Sequence, residues 1–164
     1  LQLGFDWLWI PGIVFAGLGA VYTAFLFNQA RARDLWQTPI QSVIHMLVHA
    51  VMAGSVTMMI IAPDSSQWMA NILFWGIVAN VVIMAKEILM PHDTPDTKKA
   101  IHLMTKGYYS KYFWFGATFG NLASAVILLT FTGNWVLLAG GMALVGNYLT
   151  EYVRIRVPQM ISLS

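Results

Sequence analysis

The chain has 164 residues, of which 58% are hydrophobic and only 10% charged, with a mean hydropathy of +0.65. Soluble domains carry about 25% charged residues, so these charges cannot cover a soluble surface and the bilayer is the natural solvent. Cysteine is absent, which excludes a disulfide framework, thiolate zinc sites and cysteine-held iron–sulfur clusters, and the net charge of +2 says less than where the charges fall.

The opening "LQLGFDWLWIPG" has no initiating Met, no basic leader and no small-residue cleavage site before its first apolar run. It reads as a start in mid-protein, on the lip of a helix, as in a fragment of a larger subunit. Crossing hydrocarbon takes about 20 mostly apolar residues. Five segments qualify: about Trp7 to Phe27, Pro39 to Ala62, Trp68 to Met90, Tyr112 to Phe131 and Trp135 to Val153. Backbone polar groups in lipid must be satisfied internally, so each reads as a helix. Long apolar runs without alternation exclude a β-barrel.

The loops carry the orientation. Arg31 and Arg33 follow the first span, Lys86, Lys98, Lys99, Lys106 and Lys111 fall at or between the ends of the third and fourth, and Arg154 and Arg156 follow the fifth. The connections "APDSSQ" and "TGN" have no basic residue. All Lys and Arg thus fall on one side, which the positive-inside rule makes cytoplasmic, with the N-terminus outside. Trp7, Trp9, Trp36, Trp68, Trp114 and Trp135 sit near span ends, as an aromatic belt requires. In the long basic loop, Thr94 fits an N-cap, Pro95 the first helical position and Gly107 the stop. Ala100, Ile101 and Met104 share a face, so a short helix on the membrane surface is expected there, with a plain basic loop as the alternative. The expected fold is an all-α membrane domain of five transmembrane helices plus this interfacial helix.

Polar residues within the spans are the functional candidates. Gln41, Ser42, His45 and His49 fall within an arc of about 100° on the second helix. Three readings stand: interhelical hydrogen bonds that specify packing, a proton path or quinone site, and haem or metal ligation. The third is disfavoured. His45 and His49 share one helix face about 6 Å apart along the axis, so they cannot be opposed axial ligands of one iron. The other histidines, His92 and His102, lie in the loop, and no third zinc ligand is evident. No bound metal or haem is expected. On the third helix Gly76, Asn80 and Glu87 share a face, with Glu87 either a proton-exchanging carboxyl or a partner of Lys86 or a loop lysine. Asn147, Glu151 and Arg154 form a ladder on the fifth helix that ends in a structural ion pair at the interface. "GATFG", Gly116 to Gly120, is a GxxxG packing motif, and Ala16, Gly19, Ala20 and Thr23 would let the first helix pack closely.

The order of motifs carries a family resemblance. "AVYTAFLFNQARARDLWQTPIQSVIHMLVHAVMAG" resembles the middle of the NrfD-like proteins, the polysulfide-reductase membrane-subunit family. There a helix with an aromatic YT near its end leads through a basic turn and an LW-x-(S/T)-P step into a new helix. "KEILMPHDTPDTKKAIHLMTKGYYSKYFWFG" and "LAGGMALVGNYLTEYVRIRVPQ" are similar to later helices of that family. The resemblance implies spans four to eight of an eight-span plan, and a longer relative, as in alternative complex III, fits equally well. It implies a multi-pass subunit of a bacterial inner-membrane complex, respiratory or photosynthetic. Such a subunit exchanges electrons between membrane quinone (menaquinone or ubiquinone) and an iron–sulfur subunit docked outside, and some members are proposed to move protons. Partners would be the other subunits and lipid, not nucleic acid. Tyr22 matches the family's aromatic position and Glu87 its glutamate, while His45 and His49 match the segment. The alternatives are a structural anchor without a site of its own and a transporter subunit.

Overall fold

The computed structural model describes residues 6–28, 39–90 and 95–161. Arg31, Arg33, Trp36, His92, Thr94 and the side chain of Thr23 lie outside the described residues, as do the "LWQT" of the "LWQTP" step and the "PH" pair. Every regular element among the described residues is helical. They are α1 (Trp9–Asn28), α2 (Pro39–Ile61), α3 (Ser66–Leu89), α4 (Pro95–Thr105), α5 (Ser110–Thr130) and α6 (Asn134–Gln159). Four of them, α2, α3, α5 and α6, are long and apolar enough to cross a membrane, and α1 is apolar from Trp9 to Tyr22. The chain is an all-α, multi-pass membrane protein.

Two apolar clusters hold the bundle. Met52, Val56 and Met59 of α2 meet Leu73 and Ile77 of α3 and Ala143 of α6 at one level. At the other, Met84 of α3, Phe113 of α5 and Val153 and Val157 of α6 close around Ala100 and Met104 of α4. The short helix therefore lies against the bundle on its apolar face, as its pattern predicts, and the Trp114 indole nitrogen donates to the Thr105 carbonyl at 2.9 Å to fasten it. Lys86, Lys98, Lys99, Lys106, Lys111 and Arg156 gather at this end, where α3 and α6 finish and α5 starts.

Because lipid is as apolar as leucine, close approach of backbones must supply much of the packing. Gly116 and Gly120 of α5 lie against Gly146 of α6, and a Cβ on Gly120 would stand 2.1 Å from the Gly146 Cα. The GxxxG motif is thus a true contact, but α5 is π-helical from Gly116 to Ala123 rather than α-helical. The small-residue stripe on α1 does not behave as expected. Ala16 and Gly19 are exposed, and nothing lies within 4 Å of where a Gly19 Cβ would be. Ala20 is partly buried and α1 packs on α2, but Ala16 and Gly19 stay exposed, because small side chains permit a close approach without creating a partner.

Candidate functional site

A connected set of polar side chains occupies the space between the two apolar clusters. Asn80 is its hub. On α3 it falls between Ile77 of one cluster and Met84 of the other, and it is fully buried. Its Nδ2 donates to Asn121 Oδ1 on α5 at 3.0 Å and to Asn147 Oδ1 on α6 at 3.1 Å. Its Oδ1 stands 3.1 Å from the Nε2 atoms of both His45 and His49 on α2. Four helices are thereby joined through one amide.

The donor directions follow from atoms that have only one role. Asn121 Nδ2 donates to the Gly116 carbonyl at 3.2 Å, and a carbonyl can only accept. Asn121 must then turn its Oδ1 to Asn80, Asn80 must answer with its NH2, and the Asn80 Oδ1 is left facing the histidines. Both histidines therefore carry hydrogen on Nε2 and donate it to Asn80. Asn121 lies within the π-helical stretch, and it is its side chain that bonds the carbonyl five positions back.

Arg154 is the second hub. It lies on α6 with a relative exposure of 3%, and a guanidinium can only donate. Nη1 lies 2.9 Å from Glu151 Oε1 and 2.7 Å from the His45 ring nitrogens, whose unprotonated Nδ1 is the acceptor. Nη2 donates to Glu87 Oε2 on α3. The planar fork of arginine suits this three-way hold, which a lysine point charge could not reproduce. Glu151 also lies 3.3 Å from His45 Nδ1 and 3.7 Å from His49 Nδ1.

The sequence candidates are thus mostly brought together. His45, His49, Asn80, Glu87, Glu151 and Arg154 belong to one network. Tyr22 does not: it is 63% exposed on α1, and its side chain makes no hydrogen bond to a described residue. Two expectations need correction, the partner of Glu87 and the absence of a third ligand beside the histidines. Glu87 pairs with Arg154 rather than with Lys86 or a loop lysine. Arg154 is 3% exposed within the bundle and pairs with Glu87 as well as with Glu151. The third ligand not evident beside the two histidines exists: Glu151 brings a carboxylate oxygen within 4.8 Å of both rings. That trio nevertheless already faces a fixed cation, since Arg154 Nη1 contacts both His45 and Glu151. Asn121 was missed entirely. Its signal was present, as an asparagine beside the second glycine of "GATFG" in an apolar span.

Comparison with known proteins gives one finding of consequence. The family described as "Polysulphide reductase, NrfD" matches residues 4–161, nearly the whole chain. Searches among curated proteins and among solved structures give no significant match. The membrane helices, their order of motifs and this match agree, and the chain belongs to the NrfD polysulphide reductase family.

Proposed function

We propose that this chain exchanges electrons between membrane quinone, menaquinone or ubiquinone, and an iron–sulfur subunit, as the membrane subunit of a quinone-linked redox complex. In this reading the buried polar network handles the accompanying protons. Two electrons and two protons convert a quinone to its quinol, so a site of this kind needs a group that can both donate a hydrogen bond and deliver a proton. His49 meets that need. Its Nε2 is held by Asn80, while its Nδ1 stands 3.7 Å from Glu151, beyond hydrogen-bond length. A proton added at Nδ1 leaves the Asn80 bond intact and faces a carboxylate. The ring is 13% exposed, against 3% for His45, so it is the more open of the two.

From His49 the network continues through Glu151 and Arg154 to Glu87. Arginine stays protonated and cannot relay a proton. Its part is to keep the two carboxylates within one side chain's reach. Glu87 is seven residues, about 10 Å, beyond Asn80 towards the basic end of the bundle. The positive-inside rule would make that end cytoplasmic in a bacterial inner membrane, with the N-terminus of this chain outside. Protons would then come from the cytoplasm, and the iron–sulfur subunit would dock on the opposite face.

The observation that carries this reading is the continuous run of polar contacts from His49 through Asn80, His45 and Arg154 to Glu87, across three helices. A transporter would call for helices broken near the midplane, whereas α2, α3 and α6 run unbroken there. The test is quinone-dependent turnover of the assembled complex with His49→Gln and, separately, Glu87→Gln. Turnover should fall about 100-fold in each. Unchanged turnover and proton uptake in both, with altered stability alone, would make the network a structural device and the subunit an anchor.

A further inference from the structure

We propose that the cleft between α4 and Met160 and Ile161, just past the end of α6, binds the phosphate headgroup of an anionic phospholipid. The cleft encloses about 540 Å³ and is lined by Lys98, Lys99, His102, Leu103, Met160 and Ile161. Its two sides differ in chemistry. Lys98 and His102 lie four residues apart, on one face of α4, and neither side chain bonds to a described residue. Lys99 is exposed and its ammonium reaches Asp96 at 3.4 Å, a solvent-screened pair that leaves its charge available. Leu103, Met160 and Ile161 supply an apolar wall beside these cations.

Position selects the ligand. Thr97, Ala100 and Met104 are buried on the inner face of α4, and Ala100 and Met104 pack with Val153 and Val157 of α6. Trp114 ties the end of α4 to the start of α5. The cleft therefore sits where the spans leave the hydrocarbon, at the level of lipid headgroups. Basic pockets in this position attract anionic lipid. A free phosphate would use the cations and have no use for the apolar wall. A phospholipid uses both, with its phosphate on the lysines and its glycerol and first methylenes against Met160 and Ile161.

The test uses the purified complex in nanodiscs made of equal parts phosphatidylglycerol and phosphatidylcholine, with retained lipid identified by native mass spectrometry. The intact protein should retain phosphatidylglycerol in preference. Lys98→Gln and Lys99→Gln should each reduce that preference about fivefold, and the triple change with His102→Gln should abolish it. Lys111→Gln, outside the cleft, should leave it unaltered. These side chains are exposed, and circular dichroism checks that the helices persist. Equal retention of the two lipids by the intact protein would overturn the proposal. So would a preference that survives the triple change, an equal loss in Lys111→Gln, or displacement of the lipid by inorganic phosphate.

Discussion

Arg154 on α6 and Glu87 on α3, 67 positions apart in the chain, meet as a buried ion pair, and the same guanidinium also holds Glu151 and His45. In a low-dielectric interior such a charge survives only with its partners in place. Arg154→Met should therefore destabilise the protein by about 3 kcal/mol, because it strands two carboxylates. Adding Glu87→Gln and Glu151→Gln to that variant should restore most of the loss. Unfolding in mixed micelles measures both. A triple variant no more stable than Arg154→Met would show that stranded charge is not the cause.

Asn80 joins four helices through one side chain. Hydrogen bonds between membrane helices average about 0.6 kcal/mol each, so Asn80→Ala should cost roughly 2 kcal/mol. A sharper sign is chemical. Nitrogen-15 spectra should show both His45 and His49 with hydrogen on Nε2 in the intact protein, and a mixture of tautomers at His49 once the Asn80 acceptor is gone. His45 should keep an unprotonated Nδ1 in the variant, because Arg154 still donates to it. Two histidines with hydrogen on Nδ1 in the intact protein would contradict the donor directions traced from the Gly116 carbonyl.

The sequence displays faces more readily than partners. Apolar run lengths and the placement of Lys and Arg marked the helices, and Pro95 and Gly107 bracketed the short one. The stripe of Ser42, His45 and His49 and the Asn80–Glu87 face turn inward because lipid offers them nothing. Which inward residue meets which was hidden, because it depends on the rotation and depth of each helix against its neighbours. Arg154 falls just past the last span as read from the sequence, with no sign of which residue on another helix it meets. Helix α6 runs on to Gln159 and turns Arg154 into the bundle, within reach of Glu87. The π turn was hidden for a related reason. Nothing in "GATFGNLA" demands five residues per bonded turn, but contact with Gly146 and the turn of Asn121 towards Asn80 together accommodate it.

Gly120 and Gly146 provide the last prediction, since helix contact and polar network meet there. A Cβ on Gly120 would stand 2.1 Å from the Gly146 Cα, which only a shift of backbone could relieve. Overpacking of this kind costs about 1–3 kcal/mol. The shift would also carry the adjacent Asn121 away from Asn80, so Gly120→Ala should weaken the protein as much as Asn80→Ala or more. Gly141→Ala on α6 is the matched control. Nothing lies within 4 Å of its Cβ position, and alanine is the better helix former, so stability should rise by up to about 1 kcal/mol. Unfolding of the two variants side by side separates close contact from general helix propensity. A tolerated Gly120→Ala would mean that α5 and α6 stand further apart, and that Asn121 reaches Asn80 without help from the glycines.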